Sequence, residues 1–175
     1  ECYEKLNEFS LSIIFYKRAL ELDDQLSDAW MGMGIAFDEL GNSIPALQHM
    51  LKAVKIDNLN PEYWYILGDL QEKLGHTKDA LAAYRKVTEL DPHNTDIWLD
   101  YSALLVQENR FEQAFEVLEK GLHEHPNNAS IIYRYTAYHL KKGQINQAGE
   151  KLEAALNLNY DKHSELFDYM PQLRK

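Results

Sequence analysis

Trp30, Trp64 and Trp98 stand 34 residues apart, and one more step of that length reaches Ile132, another large apolar side chain. The same step joins the small residues Gly34, Gly68, Ser102 and Thr136. It also joins Gly41, Gly75, Asn109 and Gly143, and then Ala46, Ala80, Ala114 and Ala148. So many columns in phase define a repeat array, and a repeat array constrains the fold more than composition can. Each unit must bury its apolar face against its neighbours, because one unit alone is too small to make a core.

Numbered from Ser27, Pro61, Thr95 and Ala129, the recurring residues occupy unit positions 4, 7, 8 and 11, then 20, 24 and 27. Both sets follow the spacing of one helical face. The Gly/Asn column between them suits a helix that ends in a left-handed turn, since Asn is the next residue after Gly to tolerate that backbone. Each unit therefore reads as helix, tight turn, helix, and the fold class as all-α. Asn60-Pro61-Glu62 reads as an N-cap, a first-turn proline and a first-turn acid. Ser27-Asp28 and Thr95-Asp96 are expected to start units in the same way. Thr77 is expected to cap a second helix, and Pro45 falls in the first turn of another.

Trp64, Leu67, Gly68, Gly75, Ala80, Tyr84 and Pro92 resemble the tetratricopeptide repeat signature, whose period is 34. The resemblance covers nearly the whole chain: a partial repeat at 1–26, full repeats at 27–60, 61–94, 95–128 and 129–162, and a capping helix or new repeat at 163–175. Departures are local. Gln71 and His139 stand where an aromatic is usual, Ile132 replaces the Trp, and Asn58 and Tyr160 replace the closing Pro. A pentatricopeptide array has a similar unit, but its period is one residue longer and it binds RNA, which the acidity here disfavours. The resemblance implies a right-handed superhelical solenoid of antiparallel helix pairs. Trp64 then plugs a core, and Trp64→Ala is expected to cost about 3–5 kcal/mol.

Net charge is −10, with a pI near 5.1. Such a surface repels phosphate backbones and anionic lipid heads, so neither nucleic acid nor membrane is expected as a partner. No apolar run approaches the roughly 20 residues that span a bilayer. Cys2 is the single cysteine, so no internal disulfide can form. The lone thiol and the lack of an evident signal peptide lead us to expect a cytoplasmic fragment of a longer protein.

No chemistry-bearing constellation stands out, and the chain is expected to be non-enzymatic, with no cofactor or metal. Gly32-Met33-Gly34 lies inside a first helix and follows no strand, so it reads as packing and not as a phosphate loop. His123-Glu124-His125 lacks a third ligand at a recognisable spacing and reads as a solvated helix end. His139 occupies a core column and Cys2 reads as packing.

The tetratricopeptide resemblance implies that positions 2, 5, 6, 9, 12 and 13 face a concave groove. The candidate groove residues are Met31, Ile35 and Asp38 in the first full unit, and Tyr65, Asp69 and Glu72 in the second. The third contributes Leu99 and Asp100, and the fourth Tyr133, Arg134, Ala137 and Lys141. Glu39, Ile66, Lys73 and Asp96 lie on the same stripe. Position 5 supplies an apolar spine of Tyr65, Leu99 and Tyr133. Formal charge runs −2, −2, −5 and +2 over the four units. The carboxylate-clamp residues of chaperone-tail binders are absent, since Asp96 and Asp100 stand where cations belong, and so is the Asn ladder of glycosyltransferase-type arrays. The expected function is binding of a basic, apolar peptide or helix in the groove. The alternative is a spacer or self-associating scaffold segment that forms a homodimer through exposed terminal repeats.

Overall fold

A computed structural model describes residues 2–144 together with 146, 149 and 153, with side chains from Glu8 onward. Among these residues the order is α1 (Cys2–Leu22), α2 (Ser27–Glu39), α3 (Ser43–Ile56), α4 (Pro61–Lys73), α5 (Thr77–Leu90), α6 (Thr95–Gln107), α7 (Phe111–Glu124) and α8 (Ala129–Lys141), with no strand. The chain divides into two compact units, Glu1–Leu90 and Asp91–Lys175. The second helix of the 129–162 repeat, including Ala148, and the helix expected over 163–175 lie outside the described residues.

The turn column behaves as its residue types require. Gly41, Gly75 and Gly143 have φ of +76°, and Asn109 has +59°. At each, two backbone bonds close the preceding helix. Asn42 N–H donates to Phe37 O at 2.8 Å and Gly41 N–H to Asp38 O at 2.8 Å, and the pattern recurs at Gly75, Asn109 and Gly143. Carbonyls that the helix would otherwise leave unpaired are thereby satisfied.

Helices α2, α4, α6 and α8 start at Ser27, Pro61, Thr95 and Ala129, the residues from which the units are numbered, but the capping side chains are not all the expected ones. Asn60 accepts from Glu62 N–H at 3.0 Å as read from the sequence, but the third and fourth units are capped by Asn94 and Asn128, the residues before Thr95 and Ala129. Thr95 and Ser27 are the first residues of their helices, and Leu26, before Ser27, makes no side-chain cap. Thr77 likewise opens α5 from within.

Each tryptophan ties a helix to the junction before it. The indole N–H of Trp30 donates to Asp24 O at 2.8 Å, that of Trp64 to Asn58 O at 2.9 Å and that of Trp98 to Pro92 O at 2.9 Å. In the first compact unit the core gathers Met31, Ala46, Met50, Ala53, Val54, Tyr63, Leu67 and Leu70. Close approach is literal at Gly68, where an added Cβ would lie 2.7 Å from Tyr84 Cε1. In the second, Ala129, Ile132, Tyr133 and Ala137 form a cluster joined by Leu122 and Leu140.

Candidate functional site

In the first compact unit, Ile35, Asp38 and Glu39 project from α2 at i, i+3, i+4 spacing, and Ile66, Asp69 and Leu70 project from α4 in the same way. With Met50 of α3 they line a cleft of 290 Å³. Met50 and Leu70 are sealed at its base, whereas Glu39 and Asp69 are exposed. The floor is thus apolar and the rim carries three carboxylates. Asp38 is the engaged one: it accepts from Ser43 Oγ at 2.9 Å and from Lys73 Nζ at 2.9 Å on both oxygens. Lys73 is more than half exposed, so this ion pair contributes at most about 1 kcal/mol and can be exchanged. Among the described residues, Glu39 and Asp69 have no ion pair.

Two other candidates of this unit flank the cleft. Glu72 accepts from the Tyr84 hydroxyl at 2.8 Å, which fixes its carboxylate toward α5. The Tyr65 ring is half-buried with its centroid 6.2 Å from that of Tyr84. Met31 is a correction. It is 3% exposed and belongs to the core cluster with residues of α3 and α4, so it supports the groove from beneath. Asp28, on the same stripe, accepts from the Tyr63 hydroxyl, and burial followed by this bond raises the Tyr63 pKa.

In the second compact unit, Leu99 and Asp100 are half-buried on α6. The Arg134 guanidinium donates through Nη1 to Leu99 O at 2.6 Å, which ties α8 to α6 and brings these two candidates together. Lys141 is exposed, with Nζ 5.3 Å from the centroid of the Phe111 ring. Tyr133 and Ala137 are corrections: they are 0% and 6% exposed and pack in the α8 cluster, so neither presents a groove surface. The spine expected at position 5 is therefore broken at Tyr133.

The histidines singled out from the sequence make local contacts. His123 meets Glu124 at 3.1 Å, and His125 lies edge-on to His93 with Nε2 3.3 Å from Pro92 O. His139 is buried, with Nδ1 2.7 Å from Gln144 Oε1 and its ring against Phe115 and Tyr135. The side chain of Cys2 lies outside the described residues.

Met50 and Leu70 are the cleft residues that the groove stripe did not include. Their signal was present, since Met50 shares a column with Tyr16 and Tyr84, but the column reads as core and not as the floor of a groove.

The architecture and the cleft can be set beside known proteins. Residues 57–165 match the family model of the cytochrome c-type biogenesis protein H TPR domain, and residues 1–26 match a tetratricopeptide repeat model. No curated protein sequence matches the chain. Among solved structures, MamA matches with a TM-score of 0.76 at 20% identity, over 90% of this chain and 92% of that one. YrrB, described as a TPR protein with an unusual peptide-binding site, gives 0.72 at 24% identity, over 94% and 85%. A MamA fragment from Desulfovibrio magneticus gives 0.64 at 19% identity, over 84% and 85%. At these identities the likeness is one of fold. The first family model spans well over half the chain, so the chain belongs to the tetratricopeptide repeat family: all-α helical solenoids that generally serve as non-enzymatic interaction scaffolds.

Proposed function

We propose that this chain is a protein-interaction module whose first compact unit binds a peptide or helix segment carrying basic and apolar side chains. The observation that carries the reading is the 290 Å³ cleft, with its apolar floor and three rim carboxylates. An apolar side chain of the ligand desolvates Ile35 and Ile66. A neighbouring lysine or arginine meets Asp69 or Glu39, or displaces Lys73 from Asp38 in a charge-assisted bond. The acidic rim raises the encounter rate and sets the ligand's direction, while the floor slows its departure. YrrB, a fold relative described by its peptide-binding site, is consistent with this use of the scaffold.

Fluorescence anisotropy with a short labelled peptide of alternating lysine and leucine tests the proposal. Its glutamate–leucine counterpart should not bind. Glu39→Lys with Asp69→Lys should weaken the basic peptide about tenfold, which corresponds to ~1.4 kcal/mol. Ile66→Asp separates cleft binding from mere attraction to an acidic surface. It adds a carboxylate but removes the floor, so affinity falls if the cleft is used and rises if charge alone is responsible.

A second reading rests on a different observation. Leu11, Ile14, Phe15 and Leu22 of α1 are 49%, 62%, 65% and 79% exposed. Their spacing places them on one broad face of the helix, and an apolar face of this kind favours self-association. Sedimentation velocity should then show a concentration-dependent dimer that Ile14→Lys with Phe15→Glu abolishes. A wild type that stays monomeric at every concentration removes this reading.

A further inference from the structure

A second and larger cleft opens on the other side of α2. Trp30, Met33 and Phe37 lie roughly half a turn around that helix from Ile35, Asp38 and Glu39, so the two clefts share a wall but no lining residue. This cleft has a volume of 510 Å³ and is completed by Ile13 and Leu20 of α1 and by His49 of α3.

One wall is a ladder of rings. His49 stacks on Trp30 at 5.4 Å with an interplanar angle of 22°, and on Phe37 at 5.2 Å and 17°. Burial, and then the nearby Lys52 ammonium, lower the His49 pKa and favour a neutral ring in the ladder. The stacked rings are thus apolar and suited to an aromatic or branched apolar body, with the Lys52 ammonium at the Trp30 end.

Four charged groups ring the opening, and they are not equivalent. Glu21 is held by Arg18 at 2.7 Å, and Asp24 Oδ1 accepts from Gln25 Nε2 at 2.6 Å. Lys17 and Lys52 have no carboxylate partner among the described residues. Lys52 Nζ instead lies 3.8 Å from the centroid of the Trp30 ring. One period on, Lys86 pairs with Glu89 at 3.3 Å. The residue three places after Lys52 is Lys55, which offers no such partner. Glu21 is paired with Arg18 and Asp24 keeps its charge. With Arg18, the opening thus carries three cations to two carboxylates, and neither Lys17 nor Lys52 is held in an ion pair among the described residues.

We propose that this cleft is a second ligand site, taking a small amphipathic carboxylate with an aromatic or branched apolar body and one anionic head. The body would lie along the Trp30–His49–Phe37 wall, and the head would meet Lys17 and Lys52. The volume lies within the range usual for small-molecule sites, and the combination of an apolar interior with a few placed charges is their usual chemistry. The same two lysines disfavour here the basic ligand of the α2–α4 cleft.

Fluorine NMR of the fluorotryptophan-labelled protein reads this site directly, because Trp30 lines it and Trp64 and Trp98 do not. The probes are phenylbutyrate, phenylbutylamine of the same body and opposite charge, and a tripeptide ending in phenylalanine with a free carboxylate. Phenylbutyrate should shift the Trp30 resonance saturably, with a Kd below about 1 mM, and leave the other two in place. The amine should not shift it. Lys17→Glu with Lys52→Glu, both at the surface, should weaken phenylbutyrate at least tenfold while circular dichroism stays unchanged. Equal response to acid and amine, an undiminished response in the double variant, or no saturable shift overturns the proposal. A tripeptide that binds tenfold more tightly than phenylbutyrate overturns its small-molecule assignment.

Discussion

Asn109 shows how much one residue can disclose. It stands in a column otherwise filled by Gly41, Gly75 and Gly143, and it adopts φ of +59° to their +76°. That column was legible because few side chains tolerate such a backbone. Asn109→Ala should destabilise the protein by about 1–2 kcal/mol, whereas Asn109→Gly should cost no more than a few tenths. Chemical denaturation with matched slopes distinguishes the two. Other residue-scale features were not legible. Ser27 and Thr95 read as helix caps, yet the capping side chain in the third unit is Asn94, one residue earlier. Either residue type can cap, so the sequence leaves the position open by one. Met31, Tyr133 and Ala137 failed for another reason. A period assigns a residue to a face, but depth depends on how closely neighbouring helices cover that face, and here they cover all three.

At the scale of the helix, the repeated tryptophans share a contact but not an environment. All three donate to a junction carbonyl. Only Trp98 is fully buried, at 4% exposure, while Trp30 and Trp64 are half-buried. An added Cβ on Gly121 would lie 2.9 Å from Trp98 Cγ, so that ring is held tightly against α7. Trp98→Ala should therefore cost about 3–5 kcal/mol, whereas half-burial lowers the figure expected from the sequence for Trp64→Ala to about 2 kcal/mol, in proportion to the area it buries. Thermal unfolding of the two variants side by side checks the order. Equal losses would mean that the junction hydrogen bond dominates over burial. The helices themselves were readable from the period, down to the turns between them. The two faces of α2 were not equally so. Its acidic face was visible as a stripe. The aromatic face read only as core, because Trp30 and Phe37 sit in packing columns and His49, which bridges them, sits on another helix.

For the whole molecule, the sequence reads as one continuous array, whereas its contacts divide it at Leu90 into two compact units. Repeat periodicity reports that neighbouring units are alike and not how firmly each pair is joined. The net charge of −10 was legible in composition, but its use was not. Asp38 is engaged by Lys73 and Glu72 by Tyr84, which leaves Asp69 and Glu39 as the available carboxylates of the α2–α4 cleft. The binding account therefore rests on the α2–α4 cleft. The most direct test is an NMR titration of isoleucine-methyl-labelled protein with the lysine–leucine peptide. Ile35 and Ile66 line the cleft, Ile97 and Ile131 are fully buried in the second unit, and Ile14 and Ile44 are exposed elsewhere in the first. The account predicts saturable shifts at Ile35 and Ile66 with the others nearly unmoved. Larger shifts at Ile14 or Ile44, or small shifts spread over every methyl, would contradict it.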